Sequence, residues 1–368
     1  MTFDTGFWLA LPAALIWGGL LLLPWRPWST REHLAASPEP LDLGDITALI
    51  PARNEAEVIE RTLSGLRSQG EGLRAIVVDD QSEDDTAALA SRHDFVRVIA
   101  GAPLPPGWAG KLWALEQGRG AVTTPMTLLV DADIELRPGM LAALLQHKRA
   151  QGLHYVSIMA DLRRTSFWDR LLLPAFVYFF KLLYPFALSN SRNGLVAAGA
   201  GGCVLVDTAA LEKAGAFASL RGALIDDCAL ARRIKSSGHR SWIGLSRDVI
   251  SLRPYGTLDS IWQMVARSAY TQLYYSTALL LVLTAIFAAA YWLPIAALAL
   301  GSPLALVALL AMMAAYVPTL RYYELPIAWA LLLPLTGTLY LAMTWGSALR
   351  YWRGERSRWK NRQYASER

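Results

Sequence analysis

Cysteine is scarce: the 368 residues contain two, Cys203 and Cys228. That scarcity excludes a disulfide framework and suits the reducing, cytosolic side of a membrane. Zinc-ligand spacing is missing too, and His154 and His239, two of only five histidines, have no second ligand at a metal-binding interval. Cys228 adjoins Asp227 but has no nearby histidine, so it reads as packing rather than as a nucleophile. Internal repeats and low-complexity tracts are absent as well.

Charge is missing from four long stretches. Residues 7–25 carry none before Arg26, a length that crosses a hydrocarbon core of roughly 30 Å. The basic leader of a cleaved signal peptide is lacking, since Asp4 is the only charge ahead of the run; a retained anchor over 1–26 is expected, with a signal peptide as the rival. Residues 277–300, 302–320 and 326–346 are also free of charge. Helices apolar on every face suit lipid better than a soluble core, so transmembrane helices are expected within 273–349, the alternative being a buried helical domain.

Basic residues do not dominate enough to imply nucleic acid. The net charge is +5 and the pI about 9.2, and much of the excess is local: from Arg350 to the end, six Arg and one Lys face two Glu, with Trp352 and Trp359 interleaved. A basic tail over 350–368 fits anionic lipid on a cytoplasmic face, or else a solvated segment. Topology stays open: three spans after a cytosolic domain put the C-terminus outside, whereas the tail favours inside. A label at Ser366 would tell the two apart.

Between the apolar ends lie about 250 residues of ordinary charge density, enough for one α/β domain. Short β-type runs (ITALIP, RAIVVDD, FVRVIA, MTLLV) alternate with helical patterns, which predicts a mostly parallel sheet covered on both faces. Asn54 and Glu57 have the spacing of a helix N-terminal capping arrangement. Residues 166–188 are apolar yet contain Asp169, Arg170 and Lys181. An interfacial helix accounts for both properties, with a fifth span as the alternative.

Three acidic clusters close apolar runs: Asp79-Asp80, Asp131-Ala-Asp133 and Asp226-Asp227. Strands ending in acid place it on the carboxyl edge of the sheet, where open α/β folds bind ligands. Period-two alternation puts Asp131 and Asp133 on one side of an extended segment, a pair suited to Mg²⁺ or Mn²⁺ shared with substrate phosphates. Asp79 and Asp80 read either as a turn or as acceptors for a nucleobase or ribose. Asp226-Asp227 opens a helix that ends in Arg232, Arg233 and Lys235, an order that the helix dipole explains; the sharper reading makes Asp227 a general base. Lys111 follows a Gly-containing loop and reads as a phosphate or carboxylate partner, or as solvated. Arg267 shares a helix face with Gln263 and Tyr270, and it suits either a diphosphate or lipid headgroups. Gly199-Ala-Gly-Gly202 allows a close ligand approach or a tight turn.

The order PARNE (51–55), VVDDQSEDDT (77–86), GKLWALEQG (110–118), DAD (131–133), AGAGGCVLV (198–206) and IDD (225–227), followed by QMVARSAY, resembles the membrane-bound inverting glycosyltransferases of family 2. Related ceramide glucosyltransferases share the pattern, and the hopanoid-associated group is the nearest in layout. The resemblance covers roughly residues 45–272. It implies a GT-A fold, a Rossmann-like α/β domain, with a UDP-sugar donor, a divalent cation (Mg²⁺ or Mn²⁺) and a membrane lipid acceptor, hopanoid or ceramide-like. By position, Pro51, Arg53, Glu55, Asp79, Asp80, Lys111, Asp131 and Arg267 would bind the nucleotide-sugar. Asp133 with Asp131 would hold the metal, and Asp227 with Asp226 would be catalytic. The family's closing motif has Gln or Arg, two residues, then Arg-Trp; here Gln263 lies four before Arg267, and Ser268 stands for the Trp. An enzyme of the inner membrane with a cytoplasmic catalytic domain is therefore expected. A catalytically silent scaffold of a lipid-synthesis complex and a transporter-like protein are the alternatives.

Overall fold

In a computed structural model the chain is described over residues 4–37, 39, 42–223, 225–355, 358–359 and 362–363. It divides into two compact units. One comprises residues 32–163, 188–254 and 357–368; the other comprises residues 1–31, 164–187 and 255–356.

The first unit is built on an eight-stranded sheet: β1 Ile46–Ala52, β2 Arg74–Asp79, β3 Val96–Ala100, β4 Met126–Val130, β5 Ile134–Leu136, β6 Tyr155–Leu162, β7 Cys203–Asp207 and β8 Ser241–Ser251. Their order across the sheet is β3-β2-β1-β4-β7-β6-β8-β5. The pairs β1–β2, β1–β4, β2–β3 and β6–β8 are parallel, whereas β7 runs against both β4 and β6, and β5 against β8. The sheet is thus mixed, where the alternation of runs predicted a mostly parallel one.

Period-two alternation explains why the central strands read as continuous apolar runs. Ala48, Ile50, Ala75 and Val77 join the core on one face, with Ile59, Leu63 and Leu66 of the helix Ile59–Arg67. Leu49, Ile76 and Val78 join the other, with Leu112 and Leu115 of the helix Gly110–Arg119. A sheet covered on both faces leaves no polar side to alternate with. The helix Ile59–Arg67 has no side-chain cap. Asn54, expected to cap it, instead takes a left-handed turn (φ 50°) and its Oδ1 accepts from the Glu83 N–H at 2.8 Å.

This topology gathers the motifs. β1, β2 and β4 are parallel, so Arg53, Asp79-Asp80 and Asp131 share one edge. Antiparallel β7 starts where β4 ends, and the Asp131 N–H donates to the Gly202 carbonyl at 3.2 Å.

The second unit is helical. Among the described residues, four helices are long and apolar enough to cross a membrane: Thr5–Leu22, Thr277–Ala299, Pro303–Tyr322 and Ile327–Trp352. The second contains a π-helical segment, Ala288–Trp292, just before Pro294. The shorter helix Phe167–Leu183 belongs to this unit, with Asp169 and Lys181 buried and Arg170 exposed. Asp169 is fully buried and accepts from the N–H groups of Thr165, Ser166 and Gly256. Lys181 is buried over the Phe186 ring, and Tyr340 Oη donates to the Leu172 carbonyl at 2.8 Å. Charges that seemed to oppose burial are accommodated by a helix start and an aromatic face. Residues 164–187 and 255–272, placed with the catalytic domain on sequence grounds, group with the helices. The basic tail is described to Glu355; beyond it only 358–359 and 362–363 are described, as an antiparallel pair, and Ser366 lies outside the described residues.

Candidate active site

Lys111 sits in the first turn of the helix Gly110–Arg119, and its Nζ lies 2.6 Å from Asp131 Oδ1 and 3.8 Å from Asp226 Oδ2. Burial works against the ammonium, yet Asp131, Asp226 and Asp227 together hold its pKa above the ordinary lysine range. Lys111, Asp131, Tyr155, Gly201, Asp226 and Asp227 line one cleft, with Pro51 at its wall.

Asp227 does not cap its helix, Asp226–Ser236, whose N-cap Ile225 makes no side-chain bond. Its Oδ1 accepts from the Cys228 N–H at 2.8 Å and its Oδ2 from the Gly201 N–H at 3.1 Å. Burial first, and the Asp226 charge second, push its pKa up to about 6 against the pull of those N–H groups and Lys111. A carboxylate poised there can accept a proton near neutral pH.

The glycines beside it are explained by neighbouring protein atoms as much as by any ligand. A Cβ on Gly199 would fall 2.6 Å from both the Asp227 carbonyl oxygen and Tyr155 Oη, and one on Gly201 would meet Lys111 Nζ at 3.0 Å.

The DAD pair departs from expectation. β4 stops at Val130, and residues 131–133 turn, with the Ile134 N–H donating to the Asp131 carbonyl at 3.1 Å. An extended segment would keep the two carboxylates on one side; in the turn they reach different cations. Asp131 pairs with Lys111, and Asp133 Oδ2 accepts from Arg253 Nε at 2.9 Å. Arg253 also lies 4.0 Å from Glu55. Sequence reasoning missed Arg253, whose contact spans 120 positions and leaves no local signal. Among the described residues no cluster of three or more acidic, His or Cys side chains forms an all-protein metal cage. Two carboxylates that leave further positions to phosphate oxygens and water are nonetheless a donor set that Mg²⁺ or Mn²⁺ accepts.

At the end of β2 the two aspartates separate. Asp80 is fully buried, its N–H donating to the Ala52 carbonyl at 2.8 Å and its own carbonyl accepting from Arg53 Nη1. Arg53 thereby braces β1 against the end of β2. Asp79 is half-buried, its Oδ2 accepting from the Ser82 N–H at 3.4 Å. Arg267 lies in the helical unit, at the end of the helix Leu258–Ala266. The rings of His154 and His239, unpaired in sequence spacing, meet edge to face at 4.8 Å.

Residues 47–215 match the family model described as Glycosyl transferase family 2. An uncharacterised glycosyltransferase of Mycobacterium tuberculosis is 35% identical over 100 residues, covering 27% of this chain and 42% of the relative. An undecaprenyl-phosphate 4-deoxy-4-formamido-L-arabinose transferase of Pseudomonas paraeruginosa is 33% identical over 143 residues, covering 36% of this chain and 40% of the relative. The chain thus spans less than half the length of these curated relatives. Among solved structures, a mannosyltransferase from Pyrobaculum calidifontis, in complex with GDP-Man and Mn²⁺, aligns over 93% of this chain and 98% of that one, with a TM-score of 0.56 at 20% identity. The likeness is one of fold. The α/β unit has a GT-A-like fold and is similar over residues 47–215 to the glycosyl transferase family 2 model, in a chain that also carries, among the described residues, four helices of membrane-spanning length.

Proposed function

We propose that the protein moves a sugar from a UDP-sugar to the hydroxyl of a membrane lipid, hopanoid or ceramide-like, with inversion at the anomeric carbon. The observation that carries this reading is Asp227, buried at a helix start with its carboxylate oriented by two backbone N–H groups and its pKa pushed up to about 6. Asp227 takes the proton of the acceptor hydroxyl, whose oxygen attacks the anomeric carbon as the bond to the diphosphate breaks on the opposite face. Asp226 raises the basicity of its neighbour by like charge, and Lys111 offsets negative charge beside Asp131. Asp131 and Asp133 are the residues that would hold a divalent cation, which supplies electrophilic charge for the departing diphosphate. Asp79 is the candidate contact for the uridine. Four membrane-length helices, and a relative named for an undecaprenyl-phosphate substrate, support a lipid acceptor at the cytoplasmic face of the inner membrane.

The test is UDP binding by the detergent-solubilised protein with Mn²⁺ or Mg²⁺, with GDP alongside and Asp133→Ala as control. Metal-dependent UDP binding that is lost in the variant is the expected result. Binding of GDP in preference would replace the donor class, and binding of neither would favour a silent scaffold. Asp227→Asn should bind UDP normally and lose about 10²-fold or more in transfer to extracted lipid; unimpaired transfer would remove Asp227 as the base.

A further inference from the structure

Lys235 lies in the last turn of the helix Asp226–Ser236, two turns beyond Asp227. A lysine there ordinarily closes its own helix or points to water. This helix is closed without it: the N–H groups of Ser237, Gly238 and His239 donate to the carbonyls of Arg233, Lys235 and Ile234. Lys235 Nζ instead donates to the carbonyls of Ser189, Asn193 and Val196, each at 2.7 Å. An ammonium has three protons, and all three are used on one upstream segment.

That segment, residues 189–202, has no regular structure apart from the end of the turn at Ser189. Its course is set by side chains. Asn190 exchanges two hydrogen bonds with the Ile243 backbone, Ser189 Oγ accepts from the Ala198 N–H, and Ser157 Oγ bonds both backbone groups of Ala200. At its far end it returns to the start of the same helix: the Gly201 N–H reaches Asp227, and Cys228 Sγ donates to the Gly199 carbonyl at 3.5 Å. The segment is therefore fastened to one helix at both ends, by an ammonium at the last turn and by the candidate base at the first.

We propose that Lys235 is a positioning residue for Asp227: by gathering three carbonyls it fixes the path of residues 189–202, and that path delivers the Gly201 N–H to the Asp227 carboxylate. The catalytic consequence rests on the reading of Asp227 as the base; the clamp itself does not. With turnover established, Lys235→Met lowers kcat by up to about 10²-fold, the scale of a misplaced reacting group, and leaves the donor KM unchanged.

The clamp is tested without turnover, by maleimide labelling of the full-length, detergent-solubilised protein. Both cysteines are buried, Cys228 under Gly199 and Cys203 in β7. In Lys235→Met the labelling of Cys228 should rise about tenfold or more, the mark of local opening, with Cys203 unchanged. Unchanged labelling at both sites would overturn the clamp. A parallel rise at both would also overturn it, since Lys235 would then serve only the stability of the whole unit. Mn²⁺-dependent binding of UDP and of GDP is read on the same samples. Absence of both UDP and GDP binding from the wild-type protein would defeat the glycosyltransferase reading and leave the labelling result standing.

Discussion

Charge compensation around Lys111 decides the behaviour of the site at the scale of single residues. One ammonium faces Asp131 and Asp226 directly and Asp227 through space, so the cluster keeps an excess of negative charge. Burial and that excess raise Asp227 to about 6. A base must be ionised to act, so transfer should increase with pH through about 6, level off above it, and fall as protonation takes over below. Asp226→Asn removes the like charge and should shift this acid limb to lower pH in a kcat/KM profile. An acid limb that does not move would detach Asp226 from the base. Stability follows the same shift. A carboxyl whose folded pKa exceeds its unfolded one contributes most below the unfolded value, near pH 4, and that contribution is lost as pH rises through about 6.

Elements explain why some of these contacts were legible in the sequence and others were not. Central strands buried on both faces announce themselves as apolar runs, so β1, β2 and β4 and the acids at their ends could be placed from composition alone. Contacts made by strand order could not. Arg253 reaches Asp133 because β8 pairs with both β6 and β5, and Gly202 meets Asp131 because β7 runs against β4. The turn at 131–133 broke the alternation expected of DAD, and Asn54 left its expected cap for a bond to the Glu83 N–H. Gly199 illustrates how an element imposes a residue. Its missing Cβ makes room for the Asp227 carbonyl and Tyr155 Oη at 2.6 Å, and neither is the free end of a flexible chain. Gly199→Ala should destabilise the α/β unit by about 1–3 kcal/mol, the usual cost of overpacking, and lower activity together with stability. A thermal melt like that of the wild type would show that the segment can shift aside.

For the molecule as a whole, the sequence divides less simply than the two units do. The charge-free blocks at 7–25, 277–300, 302–320 and 326–346 correspond to the helices Thr5–Leu22, Thr277–Ala299, Pro303–Tyr322 and Ile327–Trp352. The stretch that carried charge, 166–188, resisted assignment by hydropathy, because Asp169 and Lys181 are buried against partners, Gly256 and Phe186, that no local pattern announces. A chain cut to residues 32–254 would still contain the helix Phe167–Leu183. It would lack the residues against which Tyr178 and Phe179 pack, Tyr316 and Tyr340. Such a fragment should sediment without detergent, and recovery as a dispersed monomer in ultracentrifugation would contradict that expectation.

The backbone passes between the two units four times between residues 31 and 255. A protease that nicks any one of these crossings therefore leaves the catalytic unit tethered by the others. Release of the α/β unit as a free fragment would require all four crossings to be cut, where a domain hung on one stalk requires a single cut.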